Sequence, residues 1–458
     1  MPTYDLVLNS GRIIDPASET DHVTNVGISA GTIQAITNSP IQGREEINCR
    51  GLVVAPGAID MHSHGQNDEN YRIQASDGVT TALELELGVL NIDEWYGERE
   101  GNALINFGAS VGHIPARSAV MGDPGGMLPI ADGAYKPASE TEIQQMKNIM
   151  HEGLRNGALA MGFGLAYTPQ ASRWEAIEMF RVAAQYGAAC HVHMRGMGHK
   201  EPMNSIEGLS EVIAAAATSG APLHVVHINS SGQHAVPSLL QMIEEARSHS
   251  LDITTECYPY TAGMTGIESA ILSEGWQDKF GLDFSDLEWA ETGERLTAKT
   301  FAEYREIGGM VIVHSMRQTL VDEAVSSPLT AIASDGYLQN GKGHPRTAGC
   351  YSKILGQYVR ESNSLSLMDA IKKISLMPAQ RLESLTPAFR NKGKISVKAD
   401  ADIIIFDPDT VIDRSTYQAP TESPSGMTHV IVNGIPVVKD GTLQEGLSPG
   451  IGIRSPGT

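Results

Sequence analysis

The chain has 458 residues, with 33 Lys and Arg against 54 Asp and Glu, and a formal net charge of −21 at pH 7. That balance argues against nucleic acid and anionic membranes, whose phosphates need basic partners, but leaves room for a small anion held by one local Arg. The length suits one barrel of about 250 residues or more plus a smaller domain.

Residues 1–55 read as short strands over 5–9, 11–14, 26–29, 32–37 and 51–54, punctuated by turn signals such as Asn9-Ser10-Gly11 and Asp15-Pro16. Residues 56–394 then alternate strand and helix. Eight apolar runs, 58–62, 80–87, 103–112, 158–166, 188–194, 222–228, 251–260 and 330–334, predict a parallel (β/α)8 TIM barrel. Helix starts are signalled where Ser139, Ser172 and Asn204 each precede a Glu by three residues, and helix stops at Gly187 and Gly220. Residues 263–328, rich in charge and aromatics, form an insertion between the last two barrel strands, which suits a lid, a substrate loop or an inert subdomain. Residues 395–445 are again β-rich, over 402–406, 429–432 and 435–438, and are expected to pair with the first 55 residues as a composite β-sandwich. The Gly/Pro/Ser-rich stretch 446–458 reads as a C-terminal tail.

Cys49, Cys190, Cys257 and Cys350 are far apart and form no CxxC, which predicts free thiols in a reducing compartment. The N-terminus lacks a basic segment followed by an apolar signal core, and no apolar run reaches the roughly 18 residues of a membrane span. A cytoplasmic protein is expected.

Chemistry in such a barrel sits at the C-terminal ends of the strands. In order, those ends carry His62 and His64; Glu84 and Glu86; His113; His191 and His193; His224 and His227; Tyr258 and Tyr260; and Asp335. Strand alternation puts Asp60, His62 and His64 on one face, a ready half of a metal site. Seven of the 15 histidines fall in or beside these runs, more than a structural origin explains. His and carboxylate without paired Cys suggest Zn2+, with Mn2+, Co2+ or Fe2+ as alternatives. The donors exceed what one tetrahedral ion needs, so one or two ions are expected, a pair being bridged by a carboxylate.

The chain resembles the amidohydrolase superfamily, and within it the N-acyl-D-amino-acid deacylases (D-aminoacylases). The resemblance rests on Pro56-Gly57-Ala58-Ile59-Asp60-Met61-His62-Ser63-His64, Gly78-Val79-Thr80-Thr81, Val111-Gly112-His113, Gly164-Leu165-Ala166-Tyr167-Thr168-Pro169, His193-Met194-Arg195, Tyr258-Pro259-Tyr260-Thr261-Ala262-Gly263, Ser334-Asp335-Gly336, His344-Pro345-Arg346 and Ala399-Asp400-Ala401-Asp402. It implies that His62, His64, His193, His227 and Asp335 are metal ligands, that Asp335 is also the general base, and that His191 and His224 are either structural or support the ligands from behind. The family's usual Cys at the end of strand two is absent. Glu86, nearer the rim, is assigned as the bridge, with Glu84 as the alternative bridge or a core carboxylate. Strand four has no Lys to carboxylate, and Asn229 stands where relatives often carry Lys.

The reaction implied is hydrolysis of a carbon–nitrogen amide bond by a metal-bound hydroxide, with a small N-acyl amino acid as substrate. His113 or Tyr258 would steady the oxyanion, and Arg346, with Tyr258 and His344, would bind the substrate and its carboxylate. A cyclic-amide hydrolase of hydantoinase or dihydroorotase type is the alternative, a non-catalytic scaffold a more distant one. Gly108-Ala109-Ser110-Val111-Gly112 matches a nucleophile elbow, but Ser110 lies inside a continuing strand and His113-Ile114-Pro115 discourages the helix an elbow needs. Handedness, side chain and any homo-oligomer stay open.

Overall fold

The computed structural model describes residues 3–198 and 200–457. Eight strands, Ala58–Asp60, Val79–Val89, Asn106–Gly112, Met161–Gly164, Cys190–His193, Leu223–Val225, Ile253–Cys257 and Thr330–Ile332, form one sheet in sequential order. All their pairings are parallel. Each lies within or overlaps one of the predicted apolar runs, because strands buried on both faces read as continuous hydrophobic stretches. Helices cover the outside, and three of them begin as expected. Ser139 makes a full capping box with Glu142, while Ser172 and Asn204 accept from the backbone N–H of Glu175 and Glu207. Gly187 and Gly220 end their helices at φ 66° and 79°, the left-handed conformation that glycine adopts without a Cβ penalty.

No ladder joins the first and last barrel strands. Closure is made instead by the segments that follow them and by one side chain. Asp335 N–H donates to His62 O at 2.7 Å, and His64 and Gly65 N–H donate to Gly336 O. Asp60 Oδ1 accepts from the N–H groups of Ser334 and His62, and Oδ2 accepts from the Ser334 hydroxyl. Asp60 is therefore committed to closing the barrel and is not part of a donor cluster. Burial pushes its pKa up to about 6.

A separate nine-stranded sheet is built from both chain ends. Ile403–Phe406 runs antiparallel to Val53–Pro56, which in turn lies parallel to the long strand Thr3–Asp15. This sheet has its own core, including Leu8, Val26, Ile33, Val54, Ile403 and Ile405. Asn9-Ser10-Gly11, read as a turn, is a bulge inside the single strand Thr3–Asp15. Ser10 takes φ 59°, and Gly11 is the residue that fits, since a Cβ there would meet Val54 Cγ2 at 2.5 Å. Gln42–Asn48 is a strand with no apolar pattern, because most of its length faces solvent.

The insertion forms a three-stranded antiparallel sheet of Gly263–Gly266, Leu287–Trp289 and Met310–Val313. Trp276, Phe280 and Trp289 pack with Leu87, Tyr167 and Met197 of the barrel, so this subdomain covers the strand ends. The stretch 450–455 does not hang free. Gly450 N–H bonds Ala103 O, Ile453 N–H bonds Phe107 O, and Ile453 is buried, so backbone pairing seats a segment that composition alone reads as a tail. Among the described residues no helix is long and apolar enough to cross a membrane.

Candidate metal centre

Strand one delivers His62 and, just beyond its end, His64. Their Nε2 atoms lie 3.2 Å apart. Glu86 Oε2 is 3.2 Å from His62 Nε2 and 3.1 Å from His64 Nε2, and Asp335 Oδ1 is 3.4 Å from each. The other Glu86 oxygen, Oε1, lies 2.8 Å from His193 Nδ1 and 4.0 Å from His227 Nε2, while those two ring nitrogens are 3.2 Å apart. Two donor clusters thus share Glu86, and the carboxylate spans them.

A cation is what these atoms fit. His62 Nδ1 is 2.6 Å from Glu256 and His64 Nδ1 is 2.7 Å from Glu84. With those nitrogens donating to carboxylates, both Nε2 lone pairs face each other and two further carboxylates. Donors about 2.0–2.2 Å from one tetrahedral ion stand roughly 3.4 Å apart, as these do. Without a cation the mismatch is met by protonation. Burial disfavours the charged His62 ring, but Asp335, Glu256 and Glu86 outweigh it and hold its pKa at about 10. His227, buried and beside His193, is pushed down to about 3. For Asp335, burial opposes ionisation, yet Arg346 and His62 hold its carboxyl well below the usual range. His227 and Asp335 both sit at positive φ, 32° and 53°, a backbone cost of the kind that collects at functional sites.

The structure brings Glu86, not Glu84, between the clusters. Glu84 orients His64 and accepts from the N–H groups of Leu87 and Gly88. Glu256 escapes the sequence reading; it links His62 to His224 Nε2, 3.1 Å from its Oε2. Its signal is an acidic residue inside a buried strand, on the face shared with Tyr258. His224 continues to Thr254 and packs against the tilted ring of His191, deep in the barrel.

His113 is not brought to the site. Its Nε2 is 2.8 Å from Glu175, which also pairs with Arg117, and its ring stacks on Phe163. A buried ion cluster behind the strands has claimed it, so it has no place at an oxyanion. Helix His113–Met121 starts immediately after strand three, because Pro115 in the first turn has no intrahelical N–H to lose. Ser110 nevertheless stays within the strand, donating to Leu85 O. His344 is also displaced from its expected role. Its Nε2 meets Ala262 O and its Nδ1 accepts from Arg346 N–H, so it anchors the helix Arg346–Lys353 from behind.

Arg346 itself reaches the centre. Its side chain is 1% exposed, Nη2 is 2.9 Å from Asp335 Oδ2, and the guanidinium lies 4.6 Å from the Tyr258 ring centroid. Nε and Nη1 have no hydrogen-bond partner among the described residues, nor does the Tyr258 hydroxyl. These groups, with His64, Glu86 and Asp335, line a cavity whose other walls include Met264, Leu272, Phe280 and Leu282 of the insertion. Asn229 faces away; its side-chain amide pairs with the backbone of Tyr258.

Residues 116–438 match the family described as "Amidohydrolase family". The D-aminoacylase of Alcaligenes xylosoxydans xylosoxydans is 26% identical, over 95% of this chain and 94% of that protein. The N-acyl-D-glutamate deacylase of the same organism is 27% identical, over 94% and 93%. A crystal structure of N-acyl-D-glutamate deacylase from Bordetella bronchiseptica, complexed with zinc and a phosphonate mimic of the reaction's tetrahedral intermediate, superposes with a TM-score of 0.83. It is 25% identical, covering 99% of this chain and 100% of that one.

Proposed function

This chain belongs to the amidohydrolase family, and on that premise we propose that it is a metal-dependent deacylase splitting N-acyl-D-amino acids into a carboxylic acid and a free amino acid. The observation that carries the substrate is Arg346. A buried guanidinium with two unmet N–H groups, beside the donor clusters, suits the carboxylate of an N-acyl amino acid. Apolar walls suit an uncharged side chain, and the D configuration follows the relatives. A cyclic amide without a carboxylate leaves Arg346 unused and fits less well. The four buried, free cysteines support a reducing, cytoplasmic setting.

His62, His64, Asp335 and Glu86 would hold one cation and Glu86, His193 and His227 a second; zinc suits this donor set, with Mn2+, Co2+ or Fe2+ as alternatives. A cation held there would supply a water of lowered pKa, towards about 7, and polarisation of the amide carbonyl. Asp335 receives the attacking water's proton and returns it to the leaving nitrogen. Arg346 holds the substrate carboxylate, and the Tyr258 hydroxyl donates to the carbonyl oxygen as charge develops on it.

The test is amine release from N-acyl-D-, N-acyl-L- and cyclic amides, using metal-stripped and zinc-, manganese- or cobalt-reloaded protein. Metal-restored release from N-acyl-D-amino acids is expected; release from cyclic amides alone would overturn the reading. Arg346→Ala should raise KM for carboxylate-bearing substrates by about tenfold or more, the worth of one charge-assisted hydrogen bond. Equal loss on carboxylate-free amides would remove that role. Glu256→Gln should weaken metal binding about 10- to 100-fold by releasing the His62 ring, read by chelator competition. Unchanged affinity would make Glu256 a core residue only.

A further inference from the structure

Gln233 lies at the joint between the short helix Ile228–Gly232, which follows strand six, and the helix Val236–Ser248, at φ 46° and ψ −121°. A non-glycine residue adopts that backbone only at a cost, and glycine would serve the turn better. The side chain does not repay the cost within the fold. It is 5% exposed, and its Oε1 has no hydrogen-bond partner among the described residues. It lines the same cavity as Arg346, Tyr258 and the metal donors.

A buried acceptor left unmet is unfavourable unless a ligand brings a donor. An N-acyl amino acid with an apolar side chain offers two acceptors, the acyl oxygen and the carboxylate, and one donor, the N–H of the amide to be cut. The cavity offers the complement. Arg346 Nε and Nη1 and the Tyr258 hydroxyl are donors without partners among the described residues, and Gln233 Oε1 is an acceptor without one. We propose that Gln233 accepts a hydrogen bond from the scissile amide N–H. It would thereby fix the amide plane against the centre and select secondary amides. This inference rests on the deacylase reading above.

The test compares an N-acyl-D-amino acid with the matching O-acyl-D-2-hydroxy acid, an ester that has no N–H. Gln233→Leu should lower kcat/KM on the amide about tenfold and change it on the ester by less than about twofold. Gln233→Gly should show the same split while melting at or above the wild-type temperature, since glycine relaxes the strained φ. Equal losses on both substrates would assign Gln233 to packing, and an unaffected amide would remove the contact; either overturns the proposal. A wild-type enzyme that cleaves the ester and the amide keeps the deacylase reading intact whichever way the variants fall. One that cleaves neither ends both.

Discussion

Asp335→Asn is expected to lower kcat on the best N-acyl amino acid by about 10³-fold or more, with KM little changed. General-base assistance is worth roughly 10²–10⁴-fold, and an amide cannot take the proton. The substitution is clean in other respects. Asn tolerates the left-handed backbone that residue 335 adopts at φ 53°, and it keeps the size of the side chain. The N–H of residue 335 still donates to His62 O, so barrel closure is retained. Arg346 loses its partner at Oδ2 and is freer for substrate, which argues against a rise in KM. Metal content must be measured alongside, since Oδ1 faces His62 and His64. A variant that keeps its metal and loses less than about tenfold in kcat would remove Asp335 from the base role.

The barrel was legible because its strands are buried on both faces and because the chemistry stands at strand ends, where a period of two and a fixed polarity tell which side chains share a rim. Six donor positions could be named from that logic and from the resemblance, and the structure gathers all six within two clusters. What could not be read is how long-range partners divide the polar residues. His113 looks like a rim histidine until Glu175 and Arg117, from elements behind the strand, claim it. Glu84 and Glu86 share a face by alternation, and beyond Glu86's place nearer the rim it is the contacts of Glu84, with His64 Nδ1 and the N–H groups of Leu87 and Gly88, that separate them. Asp60 shares a face with His62 yet belongs to Ser334, distant in sequence. Gln233 carries no pattern, since an unmet acceptor is a property of surroundings and not of a residue type.

Glu86→Gln should have the largest effect on the centre itself. The resemblance implies a Cys at the end of the corresponding strand, so the bridge proposed here is a carboxylate in place of a thiolate. A carboxylate offers two oxygens in fixed geometry, and here Oε2 serves His62 and His64 while Oε1 serves His193. Burial opposes ionisation of Glu86, but His193, His62 and His64 outweigh it and hold its pKa well below the usual range, so its charge is present throughout neutral pH. Gln keeps the shape, removes the charge and presents an N–H₂ to one of the two clusters. Bound metal should fall to at most one ion per chain, and activity should fall with it by about 10²-fold or more, in line with the loss of part of the cation's contribution. The metal-free protein should suffer as well. Removing one member of a buried, hydrogen-bonded charge cluster costs about 3–5 kcal/mol, which thermal or urea unfolding would register. Elemental analysis of the purified variant decides the matter. Two ions retained with full activity would mean that the clusters are independent and that Glu86 does not join them, and the assignment of a shared carboxylate would then have to move to Asp335.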